Sequence, residues 1–499
     1  MAFVKKMIVL SILTLPLFSA VDKLTLNDAI NIVKKENLEL KIARFTEQVK
    51  ALEAKAAKGH KYGKLDAIVQ GMRSNDAGNV FGFKLQSREA SFADFGFSDF
   101  MGAIGNGAQN SGGDFSRFSQ GLAQGGDQIL SIKPRALNYP EARNHFQTKF
   151  SYMLPLYTGG KLTEYARIAQ SLYRMSKYDT LKVLNEKVFQ TKKAFYDISL
   201  VEHYIFNLSK IIKNIEKLES IVRNMKKEGY ATNIDLLEVQ ARKAEVQSMY
   251  NQAKLNRDLA YQFLSFLLNR EVRSIRRMND IAPMPRVTKS ELEKNNIDIQ
   301  KALLGLKITK MSLNVQKANF LPTLGAFGEY GSADNVLWND FFDKDAYTVG
   351  MQLKWNLFNG GIDKANLEKA KVQYLMVNDK VRLAKKGVLL KARKLKTEIL
   401  SANADIQNYK RQWLYAKKVY ENYRARYKEG LVSISDLLIK QSKELEVLLK
   451  LMTAKNKRNT KVFELEALIN RQKTASVYNV EKKHRVKESN TTIEEGEEI

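Results

Sequence analysis

The chain has 499 residues, no cysteine and a formal net charge of +28. The absence of cysteine excludes disulfide bonds, thiolate metal sites and an N-terminal lipid-modified cysteine, and the length allows more than one ordinary domain. The positive charge could serve nucleic-acid binding, but Lys and Arg alternate with Glu and Asp along stretches such as residues 213–228, which is typical of a solvated helix face. We therefore expect no nucleic-acid partner.

The first residues predict an export signal over residues 1–20. Two lysines precede an apolar run over residues 7–18, and Ser19-Ala20 offers a small-residue cleavage site. The alternative is a retained membrane anchor, for which the run is short, since a spanning helix needs about 20 apolar residues.

The chain contains an internal repeat with a constant register. Leu156-Tyr157-Thr158-Gly159-Gly160 returns as Leu357-Phe358-Asn359-Gly360-Gly361, and Asp235-Leu236-Leu237 returns as Asp436-Leu437-Leu438. Both pairs are 201 residues apart (357 − 156 and 436 − 235), so no insertion or deletion lies between them. A long helix keeps such a register because one extra residue would rotate every later side chain by about 100°. The repeat predicts one pseudo-symmetric unit.

Upstream, the repeat continues with a different offset. Asn37-Leu38-Glu39-Leu40 matches Asn296-Ile297-Asp298-Ile299 at a distance of 259 residues (296 − 37). The first copy therefore carries 58 extra residues (259 − 201) between Leu65 and Leu156. This insert, at about residues 75–138, is rich in Gly and Phe, and we expect a surface loop between the first two strands.

Segments of alternating polarity before each Gly-Gly pair predict β-strands. Residues 347–357 and 146–154 alternate between apolar and polar side chains, with aromatic residues near the ends. Such a pattern over about 10 residues is typical of a strand in a membrane barrel. Two weaker strands are predicted at residues 65–71 and 324–330. An amphipathic strand in a soluble sandwich is the alternative for this pattern.

Each Gly-Gly pair is followed by a predicted long helix. Residues 161–228 contain neither Pro nor Gly, and their apolar residues recur every three or four positions, which predicts a coiled-coil-like seam. The equivalent helix covers residues 362–429, and each would be roughly 100 Å long. The predicted turn glycines are Gly159, Gly160, Gly360 and Gly361 between strand and helix, and Gly229 and Gly430 at the helix tips.

These elements predict a mainly α-helical chain with a β-barrel part, in which a helix–strand–strand–long helix–helix unit occurs twice. The predicted segments are a signal peptide (1–20), a first repeat (21–270) with strands and insert at about 65–157, a linker (271–294), a second repeat (295–470) with strands at about 324–357, and a disordered polar tail (471–499). Four strands cannot close a barrel, and an open sheet edge has no hydrogen-bond partner in lipid. Several chains must therefore pool their strands, in a barrel that continues into a helical tube.

With these features the sequence resembles the TolC-like outer-membrane efflux proteins. The resemblance covers nearly the whole mature chain and rests on the duplicated Pro155-to-Gly160 and Asn356-to-Gly361 segments and on the Gly-x₅-Asp-Leu-Leu turns at Gly229 and Gly430. It implies a homotrimer in outer-membrane lipid, with a 12-stranded barrel (3 × 4 strands) and a periplasmic helical tunnel. The implied partners are a periplasmic adaptor protein and an inner-membrane transporter of the RND, ABC or a similar class.

The function implied by the resemblance is a passive outer-membrane channel, the exit duct of a tripartite efflux pump or a type I secretion system. The alternative is a secreted trimeric coiled-coil protein with a structural or adhesin-like role, which has no use for the alternating strands. The four histidines show no metal-ligand spacing, and no catalytic motif is complete. We therefore expect no enzyme activity, no cofactor and no metal.

The resemblance also implies a periplasmic gate at the helix tips. Tyr427 matches the gating tyrosine of the family, Asp235 matches the aspartate that this tyrosine contacts, and Asp436 matches one aspartate of a pore-lining acidic ring. Val432 replaces an arginine that tethers the closed gate, and Ile439 replaces a second ring aspartate, so the closed state is expected to be held differently. The alternative role for both aspartates is helix N-terminal capping, which the helix dipole favours.

Overall fold

The computed structural model describes residues 21–470, and within them the chain forms twelve α-helices and four β-strands. The helices are α1 (Leu26–Glu36), α2 (Leu38–Gly59), α3 (Ala77–Gln86), α4 (Phe97–Asn110), α5 (Phe115–Leu130), α6 (Arg135–Asn138), α7 (Lys161–Lys227), α8 (Asn233–Leu268), α9 (Lys289–Asn295), α10 (Ile297–Ala318), α11 (Ile362–Lys428) and α12 (Ile434–Ala467). The strands are β1 (Lys64–Ser74), β2 (Arg143–Tyr157), β3 (Thr323–Asp334) and β4 (Asp345–Lys354). The predicted signal peptide and polar tail lie outside the described residues.

The predicted duplicated unit is confirmed. The order helix, strand, strand, long helix, helix occurs first as α2, β1, β2, α7 and α8, and again as α10, β3, β4, α11 and α12. Both long helices, α7 and α11, have 67 residues, as expected from the constant register. Among the helices of residues 26–467, none combines the length and the apolar character that crossing a bilayer requires.

The chain divides into two compact units. One contains the residues up to Leu52, residues 170–309 and the residues from Val372 onward, and the other contains residues 53–169 and 310–371. The first unit is helical, and the second contains the sheet and the insert.

In the helical unit, an apolar core lies between α7, α8, α11 and α12. Its most completely buried side chains are Leu208, Ile215, Leu218, Val222, Val239, Val246, Ile434, Leu437 and Leu448. Burying a side chain of this size stabilises the fold by about 1.5–3 kcal/mol. The three-and-four spacing in the sequence is therefore the seam that holds the two helical hairpins together.

The four strands form one antiparallel sheet in the order β1-β2-β3-β4. Residues paired across neighbouring strands lie on the same face of a sheet, so the register defines two faces. The apolar face carries Leu65, Ala67, Val69, Phe150, Tyr152, Leu154, Tyr330, Tyr347, Val349, Met351 and Leu353. The polar face carries Asp66, Gln70, His145, Gln147, Lys149, Ser151, Glu329, Thr348 and Gln352, with Ile68, Met72 and Phe327 among them.

The apolar face and both edges of the sheet are uncovered in the single chain. Val349 on the apolar face is 72% exposed, and its neighbours along β4 are similarly exposed. The edge strands β1 and β4 each have a paired strand on one side only. On the polar face, by contrast, the Lys149 ammonium pairs with the Glu329 carboxylate across β2 and β3 at 3.1 Å.

The insert differs from the expected surface loop, because it folds into four helices, α3 to α6. The Asp76 carboxylate caps α3 by accepting a hydrogen bond from the backbone N–H of Asn79 at 2.9 Å. The rings of Phe81 and Phe95 meet edge to face at 5.2 Å. Glycine lowers the intrinsic helix propensity of this segment, and packing between its aromatic residues outweighs that penalty.

Candidate functional site

The two predicted helix tips have the same kind of backbone turn. In the first tip, the N–H of Gly229 donates to the carbonyl of Lys226 at 3.1 Å, and the N–H of Tyr230 donates to that of Met225 at 2.8 Å. The same two bonds, both 3.0 Å long, recur around Gly430. This pair of bonds forms a Schellman motif, which needs a residue in the left-handed region. The two glycines supply it, with φ angles of +81° and +73°.

The two predicted gate aspartates cap the helices that follow these turns. The Asp235 carboxylate accepts hydrogen bonds from the backbone N–H of Thr232 (2.7 Å) and from its hydroxyl (2.8 Å), which completes a capping box. The Asp436 carboxylate accepts one from the Ser433 hydroxyl at 2.7 Å. The capping role is therefore visible in the geometry of both aspartates, and a gate role remains a prediction.

Tyr427 is the buried member of the predicted gate. Its side chain is 6% exposed and belongs to the core between the two helical hairpins. Burial raises the pKa of the Tyr427 hydroxyl above its ordinary value, and the negative charge of Asp235 raises it further. The phenol is thus neutral at physiological pH and close enough to Asp235 to feel its charge.

Two polar contacts join α8 of the first helical hairpin (α7 and α8) to α12 of the second (α11 and α12). The Ser435 hydroxyl donates to the Glu238 carboxylate at 2.7 Å. Farther from the tips, the Arg242 guanidinium donates to the Gln441 side-chain carbonyl at 3.4 Å, and the Gln441 amide donates to the Tyr420 hydroxyl at 3.3 Å. Arg242 and Gln441 are both buried. These contacts link α8, α11 and α12 inside the core.

Sequence reasoning missed this buried polar network. The available signal is on α12, where Gln441 and Glu444 occupy seam positions between Leu437 and Leu448. Polar residues at apolar seam positions specify register and pairing in helical bundles. Without a partner helix in view, such positions look like ordinary interruptions of the seam.

The predicted strand-to-helix turns also use left-handed glycines. Gly159, Gly160, Gly360 and Gly361 have φ angles of +61°, +84°, +68° and +84°. A Cβ on Gly159 would lie 2.9 Å from the carbonyl oxygen of Ala318, so close approach adds a second requirement for glycine there. Around these turns, the Lys161 ammonium donates to the Asn319 side chain (3.0 Å), whose amide donates to Asp363 (3.2 Å).

The comparisons with known proteins agree with this architecture. Residues 289–471 match the family model described as outer membrane efflux protein. Curated protein sequences give no significant match. The second half of the chain therefore carries an outer membrane efflux protein domain.

Solved outer-membrane channels have the same fold as this chain over nearly its full length. CusC is 13% identical, with a TM-score of 0.70 over 91% of this chain and 92% of CusC. The Campylobacter jejuni CmeC outer membrane channel is 16% identical, with a TM-score of 0.70 over 89% of this chain and 85% of CmeC. The open state of the Neisseria gonorrhoeae MtrE outer membrane channel is 15% identical, with a TM-score of 0.67 over 89% and 88% of the chains.

The predicted mainly α-helical fold with a β-sheet part is therefore confirmed. The match of residues 289–471 supports the predicted family and outer-membrane location. The expectation that it is not an enzyme agrees with the similarity to channel proteins. Within residues 21–470, no group of three His, Asp or Glu side chains is placed to hold a metal ion. The roles of Asp235, Tyr427 and Asp436 in gating stay predictions.

Proposed function

We propose that this protein is the outer-membrane exit duct of a tripartite efflux pump or a type I secretion system. The observation that carries the proposal is a four-stranded sheet with two open edges and an exposed apolar face. An open sheet edge cannot stay in lipid because its backbone N–H and C=O groups would lack partners. The edges of β1 and β4 must therefore be paired by other copies of the chain.

Three copies would supply 12 strands (3 × 4), which is within the range of closed outer-membrane barrels. In this homotrimer the apolar face of each sheet would contact outer-membrane lipid, and the polar face would line the pore. The helical units would form the periplasmic tunnel. Solutes would cross passively through the bore, with energy supplied by the inner-membrane transporter.

The helix tips are the surface proposed to meet the rest of the pump. They present the turns at Gly229 and Gly430 and the exposed residues Tyr230, Ile234 and Leu431. A periplasmic adaptor protein and an inner-membrane transporter of the RND, ABC or a similar class are the proposed partners. The similarity to CmeC and MtrE, both described as outer membrane channels, supports this assignment.

The second candidate, a secreted trimeric coiled-coil protein, is not favoured. A coiled coil needs no sheet, whereas β4 of this chain exposes Tyr347, Val349, Met351 and Leu353 on one face. Such a face in water would be an aggregation hazard, and in lipid it is the expected lining of a barrel exterior.

The test is the mass of the detergent-solubilised protein, followed by planar-bilayer recording. We expect three chains per particle and ohmic single-channel currents without any added energy source. A stable monomer that retains its full β-sheet content, or a trimer that does not conduct even when residues 97–130 are deleted, would overturn the proposal.

A further inference from the structure

The insert between β1 and β2 is attached to the polar face of the sheet. The ring of Phe83 on α3 stacks on the ring of His145 on β2, with centroids 4.1 Å apart and an interplanar angle of 4°. His145 is 1% exposed, and the register places it on the same face as Gln147 and Lys149. The base of the insert therefore covers the side of the strands that the proposed trimer turns toward its pore.

Ion pairs fix this base to the ends of three strands. Glu89, which follows α3, forms two ion pairs. Its carboxylate pairs with Arg143 at the start of β2, and it pairs with Lys344, just before β4, at a distance of 2.6 Å. Lys344 also pairs with Asp334 at the end of β3, at 2.9 Å. The Arg88 guanidinium donates to the backbone carbonyl of Asp345. These contacts make the base a clamped platform.

The charges of Lys344 and Arg143 also change the pKa of Glu89. Burial by itself raises the pKa of this carboxyl, but the hydrogen bonds and charges of Lys344 and Arg143 outweigh burial and lower the pKa below its ordinary value. Lys344 and Arg143 therefore hold Glu89 in its ionised form at neutral pH.

The platform carries a helical hairpin formed by α4 and α5. The hairpin is held at its base by Asp99, whose carboxylate accepts a hydrogen bond from the backbone N–H of Arg135 at 2.9 Å. Gly96, with a φ of +83°, lies so close to Pro134 that a Cβ would be 2.2 Å from the proline ring. The hairpin thus begins at a fixed point on the platform.

The surface of this hairpin exposes several large apolar side chains and is poor in charge. Phe115 is 80% exposed, and Phe97, Met101 and Leu130 are also exposed. Residues 97–130 contain four charged side chains in 34 positions, and two of these, Asp114 and Arg117, pair with each other at 3.7 Å. A surface with so little charge can approach copies of itself without like-charge repulsion.

We infer that the hairpins of α4 and α5 from three subunits meet one another at the outer mouth of the barrel and close it as a lid. This inference rests on the proposed trimeric channel. The exposed apolar side chains of the hairpin would contact a second copy of this chain. They would not contact lipid, because the insert is attached to the polar face of the sheet and lipid would contact the opposite, apolar face.

The absence of cysteine from the chain makes cross-linking a direct test. Phe115→Cys and Met101→Cys place single thiols on the hairpin, and Val349→Cys places one on the apolar face of the sheet as a control. Each variant is purified as the trimer, confirmed by mass, and then oxidised. We expect disulfide-linked dimers from at least one hairpin position, since two of the three thiols around the axis can form one disulfide. We expect none from Val349→Cys, because the apolar face of each sheet would contact lipid.

The functional readout is single-channel conductance of the hairpin variants before and after reduction. Cross-linking should lower the conductance, and reduction should restore it. Glu89→Gln should raise the conductance of the uncross-linked channel because it removes two ion pairs of the clamp. Glu141→Gln is the matched control, since Glu141 lies beside the same strand end and forms no ion pair among the residues described.

The outcomes separate the lid from the channel itself. A trimer in which neither hairpin position cross-links, or in which cross-linking leaves the conductance unchanged, would overturn the lid and leave the channel intact. A protein that forms no trimer would overturn both the lid and the proposed function.

Discussion

Asn37 and Asn296, 259 residues apart, make the same two hydrogen bonds. The Asn37 amide donates to the carbonyl of Leu267 at 2.9 Å, and its oxygen accepts from the N–H of Leu40 at 3.0 Å. The Asn296 amide donates to the carbonyl of Leu468 (3.0 Å), and its oxygen accepts from Ile299 (3.0 Å). Each asparagine thus caps one helix, α2 or α10, and satisfies the last carbonyls of another, α8 or α12.

These joints predict a loss of stability on substitution. Both asparagines are 3% exposed, so Asn37→Ala or Asn296→Ala would leave a buried N–H and a buried C=O without partners. We expect each change to cost about 2 kcal/mol, measured as a lower midpoint of thermal unfolding by circular dichroism. Asn37→Asp keeps the acceptor but turns a carboxylate oxygen toward the carbonyl of Leu267, so it should not restore the wild-type stability.

The insert gives a second prediction. Deleting residues 97–130 removes the hairpin of α4 and α5 but keeps Glu89 and the ion pairs that hold the base to the strands. The trimer should therefore still assemble, and its single-channel conductance should rise. Mass measurement in detergent tests assembly, and planar-bilayer recording tests conductance. Loss of assembly would mean that the hairpin is needed for folding and is not simply a cover.

At the predicted gate, the negative charge of Asp436 can be tested separately from its helix-capping hydrogen bond. Asp436→Asn removes the negative charge while its side-chain oxygen can still accept the hydrogen bond from Ser433. If three copies of Asp436 form a ring in a narrow bore, cation selectivity should weaken. The reversal potential in asymmetric salt is the measurement. Glu228→Gln, which removes an exposed negative charge from the first tip, serves as the control. An unchanged reversal potential would leave Asp436 as a capping residue only.

Tyr427 predicts a distinct effect on the closed state. Tyr427→Phe keeps the buried ring and removes the hydroxyl, so the core between the hairpins stays filled. A hydrogen bond of that hydroxyl is worth about 0.5–1.5 kcal/mol net. If it helps to hold the tips together, the variant should open more often in planar bilayers. Equal open probability in Tyr427→Phe and wild type would show that the hydroxyl does not fasten the tips.

The helix tips were largely predictable from the sequence, because the repeat fixed the positions of Gly229 and Gly430 and the aspartates that follow them. A Schellman turn and a capping residue are local features, so local sequence is enough to find them. The helices of the insert were not predictable, since contacts such as Phe83 with His145 join residues 62 positions apart (145 − 83). The network of Arg242, Gln441 and Tyr420 was missed for the same reason.

Glu444 on α12 predicts a stability that depends on pH. Its side chain is 6% exposed, and burial raises the pKa of its carboxyl to about 7, with Lys417 and Arg424 lowering it and Glu421 raising it. The Tyr420 hydroxyl also faces this carboxyl. Because the folded-state pKa lies above the ordinary value of 4.5, folding favours the protonated form. The contribution of Glu444 to stability should therefore be fully present below pH 4.5 and be lost as the pH rises through 7.

Glu444→Gln should remove this dependence, because a neutral amide resembles the protonated acid. At pH 8 the variant should be more stable than wild type by up to about 3 kcal/mol, and below pH 4.5 the two should be equal. The control is Glu446→Gln, since Lys443 and Lys450 lower the pKa of the exposed Glu446 to about 2 and keep it ionised across this range. Unfolding midpoints measured from pH 4 to pH 8 in the same detergent give the comparison. If Glu444→Gln and wild type lose stability in parallel as the pH rises, the buried carboxyl is not the group that titrates.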